Sequence, residues 1–354
     1  MKQAMLDVVD SGKFILGPET RAFEEEFARY VGTADAVAVS QGTSAIQLSL
    51  MAIGVRTGDE VLVPSMTAFP TIEGILHAGA TPVFADLDRY GTIDPGDARR
   101  RVTSRTVGIV PVHLYGGVAD IEGLSALASE KGLFLLEDCC QSHGARRGSR
   151  VTGSIGRAGC FSFYPSKNLT VFGDGGMVTT SEESIAKKVR LLRDHGRSDK
   201  YTHVAVGFNL RFNDVQAAVG RRQLALLEQF IARRRAIAAR YDAGLSRLPG
   251  VAVPPERPGT RMVYHLYPIR LPDEATRDRL REHLKRREIE SGVHYPIPNH
   301  LQPAMAAYGT PPRLPETEAL AKTSLSLPMF PGLKDEEADK VIEAVREFVG
   351  RRET

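Results

Sequence analysis

Short apolar runs alternate with amphipathic stretches through the first 180 residues, and this alternation constrains the fold more than any other feature. The runs are Ala36–Val39, Val61–Val63, Pro82–Ala85, Gly108–Val112, Leu133–Leu136 and Gly159–Phe163. Between them, Thr20–Tyr30, Ser44–Ile53, Phe69–His77 and Ile121–Lys131 carry apolar residues at three- and four-residue spacing. Apolar runs that short, separated by helices, imply strands buried on both faces of a mostly parallel sheet. The fold class is α/β.

A second pattern begins at Asn213. Asn213-Asp214-Val215-Gln216 reads as a capping box, and Leu227, Phe230 and Ile231 form an apolar face, so a long helix is predicted to about Gly244. Leu248-Pro249-Gly250 and the proline-rich Val253–Pro258 then punctuate the chain. The remainder predicts strands near Val263–Leu271, Gly292–Tyr295 and Leu325–Leu327, a charged helix over Asp273–Ile289 and a closing helix from Asp335. The expectation is a large domain over residues 1–245 and a small α+β domain over 246–354.

Composition excludes several classes. The net charge is only +3 and the arginines are scattered; runs such as Arg233-Arg234-Arg235 and Lys285-Arg286-Arg287 fall in helical patterns as solvated faces, so nucleic-acid binding is not implied. The three cysteines, Cys139, Cys140 and Cys160, include an adjacent pair that cannot form an ordinary bridge, and none has zinc-ligand spacing. No metal is expected, and a reducing cytoplasm fits best. MKQAMLDVVDSGK lacks an apolar signal core, and no stretch approaches the ~20 apolar residues of a membrane span.

Three signals bear on chemistry. Asp138 follows the run Leu133–Leu136 and should emerge at the carboxyl edge of the sheet, where ligands bind. Lys167, in "SFYPSKNLTVFGDGGMVTT", follows the run ending at Phe163 and should reach the same edge. Gly42-Thr43-Ser44 lies between a strand and a helix, a turn whose free N–H groups suit a phosphate. Each signal alone is weak. Together, a phosphate cup, a strand-end carboxylate and a partly buried lysine suit pyridoxal 5′-phosphate (PLP), with the lysine as covalent anchor and the carboxylate facing the pyridine nitrogen.

The chain resembles the DegT/StrS sugar-nucleotide aminotransferases, PLP enzymes of fold type I. The resemblance rests on "SGKFILGPETRAFEEEFARYVG", "SQGTSAIQLSL", "GDEVLVPSMTAFPTIEGILHAGATPVFADLD", "LEDCCQSHGA", "FSFYPSKNL", "GDGGMVTT", "GFNLRFNDVQAAVG", "GVHYPIPNHLQPA" and "SLSLPMFPGL", in family order over nearly the whole chain. It implies that Lys167 binds the cofactor and Asp138 partners its ring nitrogen, with Gln141 near its phenolic oxygen. Gly42, Thr43, Ser44 and Ser162 would hold the phosphate, joined by Asn209 from the second subunit of a homodimer. Cys139 and Cys140 read as packing residues. Two departures stand out. Where the family often places a ring-stacking aromatic, this chain has Ala68, leaving Phe69 as the candidate stacker, and relatives commonly carry a longer segment before "SGKFILG".

His294, Tyr295 and His300 lie in a loop where the family places substrate-facing residues, and proline stiffening by Pro296 and Pro298 would present them cheaply. His143 is either a cofactor contact or a satisfied core imidazole. The implied activity is transfer of an amino group from an amino acid, expected to be glutamate, to a dTDP- or UDP-linked keto-sugar. The alternatives are a sugar dehydratase, against which Lys167 argues because such relatives carry histidine there, a keto-inositol aminotransferase, and a non-catalytic PLP-binding regulator.

Overall fold

A computed structural model of the chain describes residues 1–350. Eleven α-helices lie among them: α1 Lys2–Ser11, α2 Pro18–Val31, α3 Gly42–Ile53, α4 Phe69–His77, α5 Pro95–Arg101, α6 Ile121–Lys131, α7 Glu183–Arg193, α8 Asp214–Leu245, α9 Glu274–Arg286, α10 Pro315–Thr323 and α11 Asp335–Gly350. The strands are β1 Asp35–Val39, β2 Glu60–Pro64, β3 Thr81–Ala85, β4 Thr106–Ile109, β5 Phe134–Asp138, the two-residue pair β6 Arg146–Arg147 and β7 Arg150–Val151, β8 Ala158–Ser162, β9 Gly176–Thr180, the two-residue β10 Thr260–Arg261, β11 Tyr267–Arg270 and β12 Ser324–Leu327.

Seven strands form the central sheet in the order β1-β9-β8-β5-β4-β2-β3. Only β9 runs against its neighbours, β1 and β8. The α/β class and mostly parallel sheet expected from the alternating pattern are what the chain adopts. Period-two alternation assigns each strand residue to a face. Val61 and Val63 join the layer under α3, α4 and α7, whereas Leu62 joins the layer under α5 and α6. Near β8 the second face is aromatic: Phe27 and Phe161 meet edge-on at 4.9 Å, with Phe23, Phe163 and Phe212 close by. Burying each such ring contributes about 1.5–3 kcal/mol.

Of the capping box predicted at Asn213 only the N-cap half forms: the Asn213 side chain accepts from the Gln216 N–H at 2.9 Å, while the Gln216 amide donates to the Asp174 carbonyl instead of reaching back to the Asn213 N–H, and the helix that follows has 32 residues. The far end of α8, from Ile237 to Leu245, joins a separate core with β11, β12, α9 and α11. Met66, Leu114 and Tyr115 from the central sheet's edge enter that same core.

Two strand expectations are corrected. Gly292–Tyr295 is a loop that touches β12 through a single bridge, Gly292 to Ser326, because the chain then leaves to bond the end of β2. Val263–Leu271 is a strand only over Tyr267–Arg270. Val263 is diverted to the Gly116 carbonyl, and Tyr264 adopts φ 48°. Among the described residues no helix is long and apolar enough to cross a membrane.

Candidate active site

Parallel register brings the ends of β1, β2, β5 and β8 to one edge, and a cleft of about 420 Å³ opens there. β5 delivers Asp138, β8 delivers Ser162, and the turn after β1 delivers the start of α3. In α3 the first intrahelical bond is from Ala45 to Gln41, so the N–H groups of Gly42 to Ser44 have no helical partner. Gly42 is required here, since a Cβ would lie 2.7 Å from the Ser162 Cβ and close the cradle. Thr43 lines the same cleft as Ser162.

Lys167 sits in this cleft because its loop is pinned on both sides. Its own N–H donates to the Tyr164 carbonyl at 2.8 Å, Phe163 N–H donates to Gly175, and the neighbouring Asn168 side chain donates to the Val263 carbonyl at 3.2 Å. The lysine is half-buried, shares the cleft with Asp138, Gln141 and Tyr295, and forms no ion pair among the described residues.

Asp138 is 3% exposed. Its carboxylate accepts from the Cys140 N–H at 3.0 Å and from the Thr71 hydroxyl at 2.8 Å, both neutral donors. A buried carboxylate without a cationic partner is costly, so it presents a place for a positively charged ring N–H. Gln141 is held from two directions: its Oε1 accepts the Tyr115 N–H at 2.8 Å and its Nε2 donates to the Tyr295 hydroxyl at 3.1 Å.

The other titratable groups here are kept neutral. Burial, then the charge of Lys167, pushes the His143 pKa down to about 3 and also lowers that of His294. Burial raises the Tyr295 phenol to about 12 and lifts the Cys140 thiol well above its ordinary value. His143 is packed against Phe161 and Phe163, with the Ser162 backbone as its polar neighbour.

The cleft therefore gathers Lys167, Asp138, Gly42, Thr43, Gln141, Ser162 and Tyr295. Five expected contributors lie elsewhere. The Ser44 hydroxyl turns back to Gln41, accepting its N–H at 3.1 Å, and is buried. Phe69 packs against the core on α4, so Ala68 faces the cleft instead. His294 bonds Ser326 at 3.0 Å. His300 is buried with its Nδ1 2.7 Å from the Ser65 hydroxyl. Asn209 is exposed and outside the cleft, bridged to Asp194. Thr67 and Thr71, to which the sequence assigned no role, also line the cleft, and Cys140, read as a packing residue, lines it as well, because strand ends and α4 converge there.

Lysine, lone carboxylate and anion cradle on the carboxyl edge of such a sheet fit a PLP-dependent enzyme. The chain belongs to the DegT/DnrJ/EryC1/StrS aminotransferase family, whose model matches residues 1–346. It is 44% identical over 350 residues to dTDP-3-amino-3,4,6-trideoxy-alpha-D-glucose transaminase of Streptomyces venezuelae, covering 98% of this chain and 92% of that one. The crystal structure of S. venezuelae DesV with a ketimine intermediate matches with a TM-score of 0.95 at 44% identity, over 98% and 94% of the two chains. NtdA of Bacillus subtilis, solved with its cofactor PMP, matches with a TM-score of 0.92 at 30% identity, over 98% and 81%.

Proposed function

We propose that this aminotransferase takes its amino group from glutamate and passes it to a keto-sugar linked to dTDP or UDP, working as a cytoplasmic homodimer with shared sites. Its family relatives include transaminases named for dTDP- and UDP-linked sugars, which supports an acceptor of the nucleotide-linked keto-sugar class. One observation carries it: Lys167 and Asp138 share a single cleft with the Gly42–Thr43 and Ser162 anion cradle.

Lys167 would hold PLP covalently, Asp138 would face its ring nitrogen, and Gly42, Thr43 and Ser162 would bind its phosphate. When bound, PLP supplies an electron sink for the pair left on the donor's α-carbon. The Lys167 Nζ, once freed, would take the α-proton as a base from its place in the cleft. Gln141 would meet the phenolic oxygen, its amide orientation being fixed by Tyr115 and Tyr295. The exposed side chain of Asn209 suits a reach into a partner subunit's phosphate cradle.

Borohydride reduction followed by peptide mapping should place the cofactor on Lys167. A panel of dTDP- and UDP-linked keto-sugars with glutamate should then yield an amino sugar and 2-oxoglutarate. Cofactor on another lysine sinks the site assignment, and turnover with every donor except glutamate sinks the donor.

A further inference from the structure

Three buried side chains link α4 to the end of β5. Thr67, Thr71 and Asp138 are 3%, 2% and 3% exposed. The Thr71 Oγ1 donates to Asp138 Oδ2 at 2.8 Å, and the Thr67 and Thr71 hydroxyls are 2.9 Å apart. A hydroxyl has one proton to give. The proton of Thr71 is committed to the carboxylate, so the Thr67 hydroxyl must donate to Thr71. The order of donation is thus fixed: Thr67 to Thr71 to Asp138.

We propose that Thr71 is a positioning residue for Asp138 and that Thr67 completes a one-directional relay behind it. This rests on the reading of Asp138 as the partner of the cofactor's ring nitrogen. Thr71 fixes one carboxylate oxygen while the Cys140 N–H fixes the other, so the carboxylate cannot rotate without breaking a buried bond. Donation from Thr67 polarises the Thr71 hydroxyl and strengthens its bond to the carboxylate. Thr67 is itself anchored, since its carbonyl accepts from the Asn299 side chain at 3.0 Å. With its proton directed at Thr71, Thr67 offers the cleft only an acceptor.

The test loads wild-type, Thr71→Val, Thr71→Ser, Thr67→Val and Asp138→Asn proteins with PLP labelled with ¹⁵N in the ring. The ¹⁵N shift reports whether the ring nitrogen carries a proton, and fluorescence titration gives PLP affinity. Thr71→Val should move the resonance toward the unprotonated position and weaken PLP binding about tenfold, the order of one lost charge-assisted hydrogen bond. Thr71→Ser keeps the donor and should bring affinity back within about threefold, with the wild-type resonance. Thr67→Val should give a smaller displacement of the same sign. A wild-type resonance in Thr71→Val, or a Thr71→Ser protein displaced as far as Thr71→Val, overturns the relay. Asp138→Asn separates the two layers: if it moves the resonance and Thr71→Val does not, only the relay falls. If Asp138→Asn leaves it unmoved, the reading of Asp138 falls and the relay with it. Should Thr71→Val not fold, Thr67→Val decides, and an unmoved resonance there overturns the relay.

Discussion

The sheet edge and the loop from Gly292 to Gln302 both carry polar residues that suggest ligand binding, and the molecule uses them differently. At the edge, Lys167, Asp138, Thr43 and Ser162 open into the cleft. In the loop, His300 bonds Ser65, Asn299 bonds the carbonyls of Ser65 and Thr67 through its N–H and side chain, and His294 bonds Ser326. Only Tyr295 enters the cleft. The loop is a clamp that holds the segment after β2, and that segment forms one wall of the site. Polar residues at strand ends are aimed by a register that the whole sheet enforces. Polar residues in a loop bond whichever unpaired backbone or hydroxyl group the fold brings beside them.

The largest effect expected is at the edge. Lys167→Ala should reduce turnover by about a thousandfold or more, since both the covalent anchor and the base are lost. A steady-state assay with saturating PLP and both substrates checks this, and activity within tenfold of wild type breaks the comparison at its strongest point.

Acid sensitivity comes next, at His143 beneath the cleft. Its folded pKa of about 3 lies below the ordinary 6.5, so the unfolded chain takes up the proton first. Stability from the neutral ring is complete above about pH 6.5 and is lost as pH falls toward about 3. Replacing it with phenylalanine, which fills similar space and cannot take up a proton, should be near neutral at pH 7.5 but stabilise by about 2–3 kcal/mol at pH 4.5. Urea unfolding at the two pH values measures this; equal effects at both would mean the ring is not held neutral.

In the loop, His300→Ala should cost about 2 kcal/mol through the lost Ser65 bond and the space left behind. Because His300 supports the wall rather than touching substrate, both half-reactions should slow by the same factor, with a melting point a few degrees lower. A rise in KM confined to the keto-sugar would restore His300 to the acceptor site.

The smallest effect sharpens the edge itself. Thr43→Ala should weaken PLP binding several-fold, whereas Ser44→Ala should leave affinity within about twofold and cost ~1 kcal/mol or less of helix-start stability. Equal losses in PLP titrations would place the Ser44 hydroxyl in the cradle after all.

The sequence by itself determined the mostly parallel sheet, the apolar runs that place Asp138 and Ser162 at strand ends, the cap at Asn213 and the arrival of Lys167 at the same edge as Asp138. These follow from periodicities of two and 3.6 residues, which are local, and from the rule that parallel strands deliver their carboxyl ends to one edge. Tertiary structure alone decided which neighbour of an aimed residue is turned away. Ser44 is one residue from Thr43 and Phe69 one from Ala68, yet helix rotation points each inward. It also decided that Thr71, 67 positions before Asp138, holds its carboxylate, and that His300, 235 positions after Ser65, bonds its hydroxyl. Hydrogen bonds at such separations leave no spacing in the chain to read, because they depend on the final placement of whole elements rather than on any local repeat.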